Sequence, residues 1–270
     1  MRLLIAAILA TSLAAATVNG AKIHWSSAGN DHLRTVVLVH GWTCDETTWQ
    51  EQVPALAKTY RVITLDLPGH GRSDPPPDGR FTVDLFARAI ESVRAEAKVD
   101  RLALVGHSMG APVVRQYARL FPQHTVAVVF VDGVIVQPDQ IQRFWSNGVN
   151  SEGPNGPKFR EQLIRSMFSV STTPPVQKHI LSMMLAAPEA TASGAAKSLA
   201  DPAIWEEDAM SLPVLGLYAD HGGKDNRAYL TKLFPSLEYF EIPQTGHFLM
   251  LEKPDQFNHL LLTFLDKQSY

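Results

Sequence analysis

Short runs of apolar residues alternate with amphipathic stretches through the first half of the chain. Thr35-Val36-Val37-Leu38-Val39, Arg61-Val62-Ile63-Thr64-Leu65, Leu102-Ala103-Leu104-Val105 and Val126-Ala127-Val128-Val129-Phe130-Val131 lack the polar alternation of a half-exposed strand. Such runs predict strands covered on both faces, as in a parallel sheet with helices above and below it. Phe86, Ile90, Val93 and Ala97 recur at helical spacing, as do Val113, Val114, Tyr117, Ala118 and Leu120. Asp45 to Lys58 also reads as a helix, with Trp49, Val53 and Leu56 on one face. From about Val134 to Met210 the strand runs stop. Helical patterns follow one another there, broken by Gly153-Pro154-Asn155-Gly156-Pro157 and by Pro174-Pro175. They carry many large apolar side chains, among them Phe144, Trp145, Phe159, Met167, Phe168, Met184 and Trp205. Strand runs resume at Pro213 to Tyr218 and at Leu237 to Ile242, and Pro254 suits the first position of a last helix. The fold class this predicts is α/β, a mostly parallel sheet flanked by helices, with a helical cap inserted between two strands.

The first residues follow another rule. Met1-Arg2 supplies a positive charge, Leu3 to Ala16 is apolar or small, and Ala14-Ala15-Ala16 offers the small-x-small pattern of a cleavage site. This reads as a signal peptide over residues 1–16 and predicts an exported protein, periplasmic or secreted. The run is shorter than the roughly 20 residues that span a bilayer, so no stable membrane span is expected in the mature chain. Thr17 to Trp25 reads as two strand pieces around an Asn19-Gly20 turn. The expected organisation is a core of residues 17–133 and 211–270, with the cap at 134–210.

Composition narrows the partners. In 270 residues the charged fraction is 19% and the net charge −3, so the basic footprint of a nucleic-acid-binding protein is missing. Cys44 is the only cysteine, which excludes an intrachain disulfide, and it reads as a packing residue. H-E-x-x-H, paired C-x-x-C and P-loop patterns are absent from the sequence, so no metal or other cofactor is expected.

One pentapeptide points to chemistry. Gly106-His107-Ser108-Met109-Gly110 fits G-x-S-x-G and lies between a predicted strand and a predicted helix. A chain that turns this sharply strains the turning residue and leaves its side chain clear of the sheet, so Ser108 reads as a nucleophile. A serine hydroxyl needs a base within reach and a group that orients that base. His247, in the loop between the last strand and the last helix, has the position of the base. Asp132, Asp220 and Asp225 all satisfy the order Ser…Asp…His. Asp132 directly ends an unbroken apolar run one strand from Ser108, and is favoured over Asp220 on that ground. The backbone N–H groups of Met109 and of Trp42, in His40-Gly41-Trp42, are the expected oxyanion donors. Asp66 and His70 read as structural residues of a tight loop.

Together His40-Gly41-Trp42, Asp66-Leu67-Pro68-Gly69-His70-Gly71-Arg72-Ser73, the pentapeptide, Gly246-His247-Phe248 and Glu252-Lys253-Pro254 resemble the α/β-hydrolase fold superfamily. The resemblance runs from about Thr17 to the C-terminus, apart from the cap. It implies an eight-stranded sheet, a Ser-His-acid triad and no cofactor. In that superfamily the acid more often follows the strand that ends here at Asp220, with a glycine where Ala219 stands and the carboxylate where Gly222 stands. Haloalkane dehalogenases of the same fold take it after the strand of Asp132. They and epoxide hydrolases need an aspartate where Ser108 stands. The implied function is a serine hydrolase that cleaves a carboxylic ester or related acyl compound, with an apolar or aromatic acyl group, through an acyl-enzyme. Alternatives are C–C bond, amide or perhydrolase chemistry on the same triad, or ligand binding without turnover.

Overall fold

The computed structural model describes residues 16–133, 135, 139, 153–220 and 224–269. The expected signal peptide, except Ala16, and the stretch holding Phe144 and Trp145 lie outside them. The chain opens with a hairpin of β1 (Ala16–Val18) and β2 (Ala21–Ile23). Asn19 and Gly20 at its turn have φ of 48° and 86°, as a two-residue turn of the right twist requires. Then come β3 (Trp25–Ala28), β4 (Thr35–Val39), β5 (Arg61–Leu65), β6 (Leu102–His107), β7 (Thr125–Val131), β8 (Val214–Ala219) and β9 (Leu237–Ile242). Among the described residues these form one seven-stranded sheet in the order β3-β5-β4-β6-β7-β8-β9. Only β3 runs antiparallel to its neighbour. Every residue of β4, β6, β7 and β8 is buried, which is why their sequences are apolar on both faces.

Two expectations need correction. Among the described residues the sheet has seven strands rather than eight, and β1–β2 forms a separate two-stranded sheet. Asp45 to Lys58 is not one helix. It is a 3-10 turn at Glu46–Trp49, followed by the short helix α1 (Val53–Leu56). Asp45 Oδ1 accepts the N–H of Thr47 and tightens the first piece, and Pro54 cannot donate a helical hydrogen bond across the join. Trp49 and Leu56 are nonetheless fully buried, as the apolar spacing requires.

The flanking helices are α2 (Val83–Glu96), α3 (Gly110–Leu120), α7 (Lys224–Leu233), α8 (Leu249–Glu252) and α9 (Pro254–Leu265). In α2, Thr82 caps the first turn by accepting from Leu85 N at 3.0 Å. Burial of Phe86, Ile90 and Val93 contributes about 2 kcal/mol each, against about 1 kcal/mol for the cap, so packing rather than capping holds the helix.

Between β7 and β8 the described chain contains α4 (Gly156–Ser166), α5 (Pro174–Ala186) and α6 (Glu189–Ser198). They dock on the loops above the sheet. Trp42 Nε1 donates to the Ala192 carbonyl at 2.7 Å, and Thr191 Oγ1 donates to the Gly69 carbonyl at 2.9 Å. Gly194 lies so close to Phe81 that any side chain there would strike the ring. No helix among the described residues is long and apolar enough to cross a membrane.

Candidate active site

Strand register brings the first two candidate residues together. His107 pairs with Val131 across the β6–β7 ladder, so Ser108 and Asp132 leave the sheet side by side. The ladder continues past the strands: Ser108 N–H donates to the Val131 carbonyl at 3.0 Å, and Asp132 N–H to the Leu217 carbonyl at 2.8 Å. Both residues have left-handed backbones, with φ of 53° at Ser108 and 41° at Asp132. For a residue with a Cβ this costs on the order of 1–3 kcal/mol, which the surrounding packing must hold in place. Gly106 and Gly110 make the Ser108 turn possible. A Cβ on Gly106 would collide with the Gly110 carbonyl, and one on Gly110 would come within 2.6 Å of the Val39 oxygen.

His247 lies beyond β9, in the loop before α8. Its Nδ1 is 2.6 Å from Asp132 Oδ2. The other carboxylate oxygen, Oδ1, accepts the Ala219 N–H at 3.1 Å. A buried carboxylate needs such partners, because desolvating an unpaired charge costs several kcal/mol. The end of β8 therefore supplies a donor to Asp132, whereas Asp220 is exposed and the side chain of Asp225 lies outside the described residues. Ser108 and His247 line one cavity of about 100 Å³. Trp42, Leu163, Met167, Met184 and Phe248 make most of its wall apolar, and Gly41, Cys44 and His107 complete it among the described residues. Leu163 and Met184 belong to α4 and α5, and Met167 ends α4, so the inserted helices roof the cavity.

Of the two expected oxyanion donors, Trp42 lines the cavity and Met109 directly follows Ser108. Met109 and Trp42 are both buried. Met109 caps the N-terminus of α3, where backbone N–H groups lack helical partners and the helix dipole favours negative charge. Trp42 follows Gly41, where a Cβ would stand 3.0 Å from that of Ser108 and 3.1 Å from His107 Nδ1. The loop beneath is braced by His40, whose Nε2 accepts the Leu67 N–H at 2.9 Å and whose Nδ1–H donates to the Gly41 carbonyl at 2.8 Å. Asp66 accepts the N–H groups of Glu46 and Arg72 at 2.7 and 2.9 Å and closes the tight loop. His70 is buried against His40, and burial pushes its pKa down to about 3. Cys44 is buried too, and burial pushes its thiol up to about 12.

Two contacts around His247 have no signal in the sequence. His107 Nε2 lies 2.8 Å from the His247 carbonyl. A carbonyl only accepts, so Nε2 carries the hydrogen. Burial first, and His247 second, push the His107 pKa down to about 3, so the ring is neutral. On the other side, the His247 N–H donates to the Met167 carbonyl at 3.1 Å. The peptide groups flanking the imidazole are thus held from below by the sheet and from above by the inserted helices. No group of three or more His, Cys, Asp or Glu side chains among the described residues could hold a metal ion.

The chain resembles known proteins in sequence and in fold. A zebrafish (Danio rerio) serine hydrolase-like protein is 30% identical over 128 residues, 46% of this chain and 39% of its own length. The chain thus spans about two fifths of that curated relative. A 2-hydroxy-6-oxononadienedioate/2-hydroxy-6-oxononatrienedioate hydrolase of Paraburkholderia phymatum is 26% identical over 90% of this chain and 91% of its own. Among solved structures, a thermophilic esterase from Thermogutta terrifontis superimposes with a TM-score of 0.78 at 24% identity, covering 94% of this chain and 96% of its own. That likeness is one of fold. The model of the Alpha/beta hydrolase family matches residues 36–260, most of the chain, and this protein belongs to that family.

Proposed function

We propose that this hydrolase cleaves a carboxylic ester, or a related acyl compound, through an acyl-enzyme on Ser108. The observation that carries the reading is the 2.6 Å contact of His247 Nδ1 with Asp132, beside a left-handed Ser108 in one cavity. With Nδ1–H committed to Asp132, Nε2 is the nitrogen left to take a proton. Ser108 Oγ attacks the substrate carbonyl carbon while His247 Nε2 accepts its proton. The carbonyl oxygen becomes an oxyanion facing the N–H groups of Met109 and Trp42. The C–O bond to the leaving group breaks, and that oxygen takes the proton from His247. Water, deprotonated by His247, then attacks the acyl carbon, and Ser108 leaves with the returned proton. Asp132 keeps the imidazole in the right tautomer and stabilises its charged form. The cycle needs no cofactor.

The inserted helices act as the cap of the cavity, and its apolar wall fits an uncharged apolar or aromatic acyl group. Hydrolysis of a C–C bond is a second reading, favoured by the Paraburkholderia relative, whose named substrate is a dioate. The described lining holds no Arg or Lys to pair with a second carboxylate, so the ester reading stands ahead. A fluorophosphonate probe tests the nucleophile: the parent labels and Ser108→Ala does not. Labelling of Ser108→Ala at the parent rate would refute the assignment. A series of p-nitrophenyl esters from acetate to palmitate then separates acyl hydrolysis from C–C cleavage.

A further inference from the structure

Glu252 belongs to the Glu252-Lys253-Pro254 motif, to which neither the fold nor the proposed reaction gives a task. Its carboxylate sits where two unrelated segments meet. One is the histidine loop, Gln244 to His247. The other is the turn Met167 to Thr172, which joins α4 to α5 in the inserted helices. Glu252 Oε2 accepts the Gly246 N–H at 2.6 Å and the Ser169 hydroxyl at 2.9 Å, and Oε1 accepts the Thr172 hydroxyl at 2.5 Å. Each hydroxyl has a single proton, and both are committed to this carboxylate. Their oxygens accept from the turn itself: Ser169 N–H donates to Thr172 Oγ1 at 2.7 Å, and Ser171 N–H to Ser169 Oγ at 3.0 Å. Ser171 Oγ adds a bond to the Gln244 carbonyl at 2.6 Å. The segments pass so closely that a Cβ on Gly246 would stand 2.6 Å from the Met167 oxygen. This carbonyl is the one that accepts the His247 N–H.

We infer that Glu252 is a positioning residue for His247, joining the Met167–Thr172 turn and the histidine loop into one piece. The inference rests on the reading of His247 as the base. Three donors on an ionised carboxylate form the strong class of hydrogen bond, and removing that acceptor strands all three. The turn would then lose its hold on the loop, and the Met167 carbonyl its alignment with the His247 N–H. The imidazole would shift relative to Ser108, while Trp42, Leu163 and Met184, which lie outside that turn, would keep their places in the cavity wall. The effect belongs in kcat, with KM little changed.

The test uses Glu252→Ala, Glu252→Gln and the double variant Ser169→Ala/Thr172→Val, with Ser108→Ala, His247→Ala and the surface variant Arg165→Ala alongside. Kinetics on a p-nitrophenyl ester that the parent hydrolyses are read with the thermal midpoint of each protein. E252A is expected to lose about 30-fold or more in kcat with KM within about threefold, since a misplacement near 1 Å can cost about 100-fold. E252Q, which keeps an oxygen for Gly246, is expected to recover kcat to within about fivefold of the parent. The double variant removes only the turn's donors and is expected to lose about tenfold, and R165A nothing. A folded E252A with kcat within twofold of the parent, a loss carried by KM alone, or an E252Q as slow as E252A would overturn the inference. Should E252A fail to fold, the double variant decides by the same criteria. Should S108A and H247A keep their turnover, the reaction itself is misassigned. If they lose it while E252A does not, only the role of Glu252 falls.

Discussion

Ser108 and Asp132 occupy one kind of ground and His247 another. The first two stand at the ends of adjacent parallel strands, and backbone hydrogen bonds to Val131 and Leu217 set their height and spacing. His247 hangs in a loop five residues past the end of β9. What holds it comes from elsewhere: the carbonyl of Met167, the imidazole of His107 and the carboxylate of Asp132. The comparison separates two ways of placing a side chain. A register is decided by the strands' own sequences, whereas a loop is placed by whatever packs on it. The sheet side should therefore respond to substitution as a rigid frame, and the loop side as an assembly of contacts.

The largest expected effect contrasts the two aspartates. Asp132→Asn should lower kcat by about 10⁴, because an amide at that position disturbs the tautomer of His247. Asp220→Asn should stay within about twofold. Equal, mild losses in both would break the assignment of the acid. On the frame side, Gly106→Ala forces a methyl group into the Gly110 carbonyl. It is expected to cost about 3 kcal/mol in urea denaturation, and a loss below about 1 kcal/mol would show that the turn yields.

Acid should weaken the histidines beneath the site. His70 and His107 titrate near 3 when folded, against about 6.5 in an unfolded chain. The unfolded state therefore binds more protons across that window, and stability falls as pH drops from about 6.5 toward 3. Between pH 7 and pH 5 each contributes a loss of about 2 kcal/mol. Denaturation midpoints at the two pH values should differ less in His70→Phe than in the parent, and an unchanged difference would count against this account. The smallest effect tests how the inserted helices are tied down. Trp42→Phe keeps one six-membered ring but gives up the rest of the indole with its donor to the Ala192 carbonyl, for a loss of about 1–2 kcal/mol in the same assay.

Much of the frame was legible in the sequence, because strands buried on both faces must be apolar throughout. Thr35–Val39 and Arg61–Leu65 begin and end where the sequence places them, and so does Leu237–Ile242, although its Glu238 and Glu241 mark a strand only partly buried. The turn at Ser108 was legible too, since its glycines answer a local steric demand. Asp45 to Lys58 misled because apolar spacing survives a broken helix: Trp49 and Leu56 reach the core from separate turns. The acid was half legible. Asp132 and Asp220 both follow strands, and what separates them is the Ala219 N–H aimed at Asp132, a contact between strand ends 87 residues apart. Glu252 and His107 stand in motifs that carry no hint of their contacts, since their partners Ser169 and His247 lie 83 and 140 residues away. Residues that steady a catalytic loop from a distance are visible only once the chain has closed on itself.

Cys44 turns the cavity wall into its own instrument. Its sulfur is the sole thiol of the protein and is walled in beside the serine, with its ionisation suppressed. A thiol reagent has only this sulfur to modify, in the wall of the cavity that Ser108 also lines. The rate at which a small neutral disulfide modifies the untouched protein therefore reports access to that cavity, with no engineered label, and a bound acyl group should slow it.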